Sequence, residues 1–156
     1  MQGEKRTLDI LIADDDSDDI FLFEIALKGL SIPFRLSSVH NGQQLIDYLA
    51  THTGRLPDVL VLDLNMPLKN GSECIVELKR RQRTKRLPII VYSTSLHDDV
   101  ADVLYHHGAH YYLRKTDIAE LLPPLRYALT KLYNRELDRP PRNRFVLNPK
   151  QLRYTR

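Results

Sequence analysis

The chain has 156 residues, 42% of them hydrophobic and 28% charged, with a net charge of +3. This is ordinary usage for one globular domain and excludes a wholly disordered chain. A single cysteine, Cys74, excludes an internal disulfide and any multi-cysteine metal site and fits a reducing compartment, while the absence of a signal-like segment or of any run near ~18 apolar residues predicts a cytoplasmic address with no membrane partner.

Short apolar runs alternate with helical patterns. Leu8 to Ala13 reads as a buried strand. A helix follows, bearing Ile20, Phe21, Phe23, Ile25, Ala26, Leu27 and Leu30, with Asp16 or Ser17 as N-cap and Gly29 near its end. Phe34 to Val39 alternates and is rich in strand formers. Asn41-Gly42 then turns the chain into a helix carrying Leu45, Ile46, Tyr48 and Leu49. Val59 to Leu62 is a continuous strand-type run, and a helix over 71–82 presents Cys74, Ile75, Val76 and Leu78, with Cys74 as a buried apolar filler. Pro88 to Tyr92 is a fourth strand, 98–107 a helix with Val100, Val103 and Leu104, and Tyr111-Tyr112-Leu113 a short fifth strand.

Pro123 and Pro124 would break a helix interior, so the pattern predicts a short turn at 117–121 and a main helix from about Pro123 to Leu137. Pro140-Pro141 ends it. Residues 134–156 hold seven basic and two acidic side chains, leaving 16 basic against 18 acidic in residues 1–133, a net of −2. A mildly acidic body thus precedes a basic tail. The tail has no nucleic-acid motif, so a solvated tail is preferred over one that binds nucleic acid. It is expected to lie outside the sheet and to be unnecessary for folding. Phe145, Val146 and Leu147 are left to pack either on the chain's own domain or on a second copy, as a homodimer.

Five strand–helix pairs in alternation predict an α/β fold: a five-stranded parallel sheet with helices on both faces. Such sheets place their sites at the carboxyl ends of the strands. There the first strand ends in Asp14-Asp15-Asp16, the third at Asp63 and the fourth at Ser93, and the fifth leads to Lys115. Gathered carboxylates favour a hard, oxygen-ligated cation such as Mg²⁺. A lysine supplies a point charge and a hydroxyl a hydrogen bond to a phosphoryl oxygen. Together these parts suit phosphoryl transfer to a carboxylate. Asp63 closes an apolar strand, where a lone buried charge is expensive. Asp16, Asp18 and Asp19 read more simply as helix caps. His106, His107 and His110 read as solvent-facing, and the basic run Lys79 to Arg86 as a complement to a helix end.

At this point the sequence resembles the receiver domains of two-component response regulators, over roughly residues 7–133. The anchors are Asp14-Asp15, the run Pro57 to Pro67 around Asp63 with Gly71, Ser93-Thr94 and Lys115. The resemblance implies a flavodoxin-like (βα)5 fold with Asp63 as phosphoacceptor. It implies Mg²⁺ on Asp15, Asp63 and the Asn65 carbonyl, with Asp14 acting through a metal-bound water. Ser93 and Lys115 would contact the phosphoryl group, Tyr112 would be a switch residue moving with Ser93, and Asn65 and Ser95 would tune dephosphorylation. Taken alone, Tyr112 reads equally as a structural surface aromatic.

The implied partners are a sensor histidine kinase or phosphotransfer protein and a downstream protein target. Ser93-Thr94-Ser95, the Asp-rich first helix and Asn41-Gly42-Gln43-Gln44 are similar to stand-alone receivers, some of which serve phytochrome-type kinases. On this reading residues 1–138 form the receiver and 139–156 a basic tail with no separate output domain. The protein is a signalling module rather than a metabolic enzyme. Thr116 replaces the family's usual proline and Thr94 a common alanine; the Lys115–Thr116 bond is expected to be trans. The alternatives are a Mg²⁺-dependent aspartate-nucleophile phosphohydrolase and a flavin carrier. The first normally needs a second aspartate where Asn65 stands. The second needs a phosphate-cradling loop where this chain has repelling carboxylates.

Overall fold

The computed structural model describes residues 6–94, 97–136 and 138–152; Ser95, Leu137, Arg153 and Arg156 lie outside them. In chain order the elements are β1 (Leu8–Ala13), α1 (Ser17–Lys28), β2 (Phe34–Val39), α2 (Gly42–Thr51), β3 (Val59–Leu62), α3 (Gly71–Arg80), β4 (Ile89–Ser93), α4 (Asp98–His107), β5 (Tyr111–Arg114), α5 (Ile118–Tyr133) and a short α6 (Pro149–Leu152). The five strands form one parallel sheet in the order β2-β1-β3-β4-β5.

Alternation along the strands splits the core. Leu11, Ala13, Leu60, Leu62, Ile89, Val91 and Tyr112 face the side covered by α2, α3 and α4. Ile10, Ile12, Val59, Val61, Ile90, Tyr92 and Leu113 face α1 and α5, which contribute Phe23, Ala26, Leu27, Leu125, Ala128 and Leu129. Central strands buried on both faces need continuous apolar runs, and β3, Val-Leu-Val-Leu, is buried at every position.

Polar side chains start the helices. Asp16 accepts a hydrogen bond from the Asp18 amide, Asn41 from Gln44, Asn70 from Glu73 and Asp117 from Glu120. The last of these overturns the expected break at 117–121: α5 is one helix from Ile118 with Pro123 and Pro124 inside it. The two prolines fall just past its first turn and leave only the carbonyls of Ala119 and Glu120 without helical donors. Both residues are exposed, so the solvent side can satisfy them. His110 is the second correction. It is buried, 8% exposed, and its Nδ1 accepts from the Ile89 amide at 3.4 Å. His106 is exposed as expected.

The tail is the third correction: it adds no strand to the sheet, but one bridge joins it to the edge of β5. The Tyr112 amide donates to the Phe145 carbonyl and the Leu147 amide to the Tyr112 carbonyl, both at 3.0 Å, so Val146 forms a parallel bridge with Tyr112. Phe145 is fully buried, edge-on to Tyr105 and Tyr112 with ring centroids 5.3 and 6.4 Å away. The sequence reading failed here because it judged the segment by its prolines and arginines. Those residues sit at its borders and act as clamps. Arg139 lies 4.1 Å over the Tyr105 ring and donates to the Ala109 carbonyl, Arg142 pairs with Asp102 at 2.6 Å, and the Tyr105 hydroxyl donates to the Pro140 carbonyl. Of the two placements left open, packing on the chain's own domain is the one observed.

Candidate functional site

Parallel pairing brings the ends of β1, β3, β4 and β5 to one rim. The Asp63 amide donates to the Ala13 carbonyl at 2.9 Å and the Lys115 amide to the Ser93 carbonyl at 2.8 Å, which fixes the heights of the four strand ends. Gly71 opens α3 against this rim: a β-carbon there would lie 2.4 Å from the Asp63 carbonyl oxygen, so only glycine allows the approach. The Lys115–Thr116 peptide is trans, as expected.

Asp14 is fully buried, Asp63 is 5% exposed, and Asp15 is exposed beside them. One carboxylate oxygen from each lies within 4.8 Å of the others, a set of hard ligands suited to a divalent cation. Asn65 is exposed next to the cluster, with its amide 3.4 Å from Asp63 Oδ1. The Lys115 ammonium reaches in from β5 to 2.7 Å from Asp14 Oδ2, 2.8 Å from Asp19 Oδ2 and 3.7 Å from Asp63 Oδ2. It also lies 5.3 Å from the centre of the Tyr92 ring. The Ser93 hydroxyl is fully buried, with the Tyr112 phenol in hydrogen-bonding reach of it. Tyr112, beside it on β5, is fully buried rather than a surface aromatic. Thr94 is exposed.

The electrostatics follow from this packing. Burial pushes the Asp63 carboxyl up to about 6, with the Lys115 charge opposing and the Asp14 charge adding to the rise. Burial works against the Lys115 ammonium, but hydrogen bonds to Asp14 and Asp19 and the Asp63 charge hold it above the ordinary lysine range. Burial pushes the Tyr92 phenol up to about 12 and raises that of Tyr112. The site is therefore a strongly charged, partly buried rim in which one carboxylate ionises reluctantly.

The strand-end residues Asp14, Asp15, Asp63, Asn65, Ser93, Lys115 and Tyr112 are thus brought together. Sequence reasoning missed Asp19, which it assigned to helix capping. The available signal was its spacing: Asp19 is one helical turn beyond Asp15, on the face of α1 that looks back at the rim. The histidines join no metal-ligating group among the described residues. Likewise no helix among the described residues is long and apolar enough to cross a membrane.

Comparison with known proteins points the same way. Residues 10–125 match the model of the response regulator receiver domain. Response regulator Rcp1 of Synechocystis sp. (strain ATCC 27184 / PCC 6803 / Kazusa) is 30% identical over 111 residues, 69% of this chain and 76% of that protein. The probable methanogenesis regulatory protein FilR2 of Methanothrix harundinacea (strain 6Ac) is 31% identical over 109 residues, 68% of this chain and 70% of that protein. The crystal structure of the phosphorylated cyanobacterial phytochrome response regulator RcpA superposes with a TM-score of 0.74 at 26% identity, covering 87% of this chain and all of that one. The Mn²⁺-bound form of Rcp1 gives 0.71 at 25% identity, covering 86% and 99%. With five parallel strands in the flavodoxin-like order and an acidic rim that can hold a divalent cation, the chain belongs to the response regulator receiver domain family.

Proposed function

We propose that Asp63 is the phosphoacceptor of this receiver, taking its phosphoryl group from a phosphohistidine on a sensor histidine kinase or phosphotransfer protein in the cytoplasm. The observation that carries this reading is the meeting, at one rim, of a buried carboxylate, an ammonium 3.7 Å away whose side chain is 9% exposed, and a buried hydroxyl. An Asp63 oxygen attacks phosphorus while the bond from phosphorus to the donor imidazole nitrogen breaks. The imidazole leaves with that electron pair and takes a proton. Lys115 offsets the charge gathering on the phosphoryl oxygens, and Ser93 donates a hydrogen bond to one of them. Asp14, Asp15, Asp63 and the Asn65 carbonyl hold Mg²⁺, which supplies further charge neutralisation when bound.

The donor is a protein. Phe21, Leu22 and Ile25 on α1 are 62%, 43% and 37% exposed, an apolar stripe on the helix whose first turn supplies Asp19. A small phosphate ester needs no such stripe, and a helix of a protein donor does. Ser93 and Tyr112 then carry the change to the surface of α4, β5 and α5, where a downstream protein reads it. Residues 1–138 act as the receiver and 139–156 as its tail. The test is labelling by phosphoramidate and Mg²⁺. Wild type should acquire one acid-labile phosphate and Asp63→Asn none, since an amide nitrogen cannot replace the attacking oxygen. Full labelling of the variant would overturn the assignment. Phe21→Ser should slow transfer from a phosphorylated kinase by about tenfold while leaving phosphoramidate labelling unchanged.

A further inference from the structure

Three carboxylates converge on the Lys115 ammonium, and they are not equivalent. Asp14 and Asp63 belong, with Asp15, to the set whose oxygens lie within 4.8 Å of one another. Asp19 is outside that set, although its Oδ2 is as close to the ammonium as Asp14, 2.8 against 2.7 Å. Its side chain comes from the first turn of α1 rather than from a strand end, and it is 28% exposed where Asp14 is fully buried.

Asp14, Asp15 and Asp63 would hold a divalent cation between them, directly or through water, and its charge would weaken their hold on an ammonium a few ångströms away. Among the described residues, Asp19 is then the carboxylate in contact with Lys115 that is free of the cation. The ammonium is already 3.7 Å from Asp63 in this arrangement, so holding it on Asp19 keeps it within a small side-chain movement of the reacting oxygen. The Tyr92 ring below, 5.3 Å from the ammonium, favours a cation in the same place.

We propose that Asp19 is a positioning residue for phosphoryl transfer. Resting on the assignment of Asp63 as acceptor, it keeps the Lys115 ammonium beside Asp63 when the metal ligands are occupied and yields it to the phosphoryl oxygens as they arrive. Asp19 touches neither the donor nor phosphorus. It acts through Lys115 alone, so its removal should have no effect where the lysine is absent.

The experiment is a double-mutant cycle read by phosphoramidate labelling at saturating Mg²⁺. Asp19→Asn should slow labelling by about tenfold with Mg²⁺ affinity within about twofold of wild type, and Asp19→Glu should restore most of the rate. In a Lys115→Ala background, Asp19→Asn should change nothing. A full additional loss there, a fall in Mg²⁺ affinity in step with the rate, or an unchanged rate in Asp19→Asn would each overturn the proposal. A second readout needs no labelling: the ¹⁵N signal of the Lys115 ammonium at saturating Mg²⁺ should be protected from exchange in wild type and broadened in Asp19→Asn. Equal protection in both would overturn the pairing itself. Labelling that persists in Asp63→Asn would instead remove the acceptor assignment, a failure this signal does not share.

Discussion

Asp63 ionises about two pH units later in the fold than in the unfolded chain, because burial disfavours its charge more than Lys115 can offset. A carboxyl whose folded value is raised holds its proton more tightly when folded. Stability is therefore lost as pH rises through the window from 3.8 to about 6, and above it the metal-free fold carries a strained charge. At 1.36 kcal/mol per unit this amounts to at most about 3 kcal/mol. Asp63→Asn should accordingly be more stable than wild type to urea at pH 7.5 without divalent cations, by about 1–3 kcal/mol. Adding Mg²⁺ should reverse the ranking by stabilising wild type alone. Lys115→Ala has the opposite sign. It leaves Asp14 and Asp63 as buried charges without their cation, and breaking such a pair costs about 3–5 kcal/mol. The variant should fold but melt early without Mg²⁺, recover with it, and remain deficient in passing phosphorylation to the surface.

At the scale of elements, the strand ends were readable and their companions less so. Asp14, Asp63, Ser93 and Lys115 each close an apolar run, and the rule that parallel sheets gather their sites at carboxyl ends needs no further information. Asp19 was hidden because an acidic residue in a first turn already has a sufficient local reason, the helix dipole. Pro123 and Pro124 misled because the propensity rule takes no account of whether the freed carbonyls are buried or wet. Leu68, at φ 69° in the loop between Asp63 and α3, adopts a left-handed conformation that nothing in a leucine announces. Phe145-Val146-Leu147 was legible as an apolar segment, but where it packs was not, because its ring partners, Tyr105 and Tyr112, are distant in sequence. Phe145 behaves as core. Phe145→Ala should cost about 3–5 kcal/mol in urea unfolding, and exchange of the Tyr112 amide, which donates to the Phe145 carbonyl, should accelerate.

For the whole molecule, the tail completes a design in which both faces and one edge of the sheet are covered. The five strands pair fully without it, so a chain ending at residue 138 should still melt in one transition, at a lower temperature than the full chain. The covered edge also borders the surface of α4, β5 and α5 proposed above as the one a downstream protein reads. Arg139 and Arg142 fasten the segment to α4 and the bridge fastens it to β5, while α6 sits against α5. A downstream protein that reads α4, β5 and α5 therefore meets the tail as part of what it reads.

The bridge between Tyr112 and Val146 also settles a contest. The free edge of β5 is a template for any extended segment, including one from another copy of the same chain. A tethered competitor acts as if present at roughly millimolar concentration, so a strand from another copy at micromolar levels is outcompeted by about a thousandfold before side chains are considered. Growth of the sheet along that edge is governed by the tether rather than by abundance. Without the tail that protection disappears, and sedimentation of the shortened chain should show self-association rising through the micromolar range where the full chain stays unchanged.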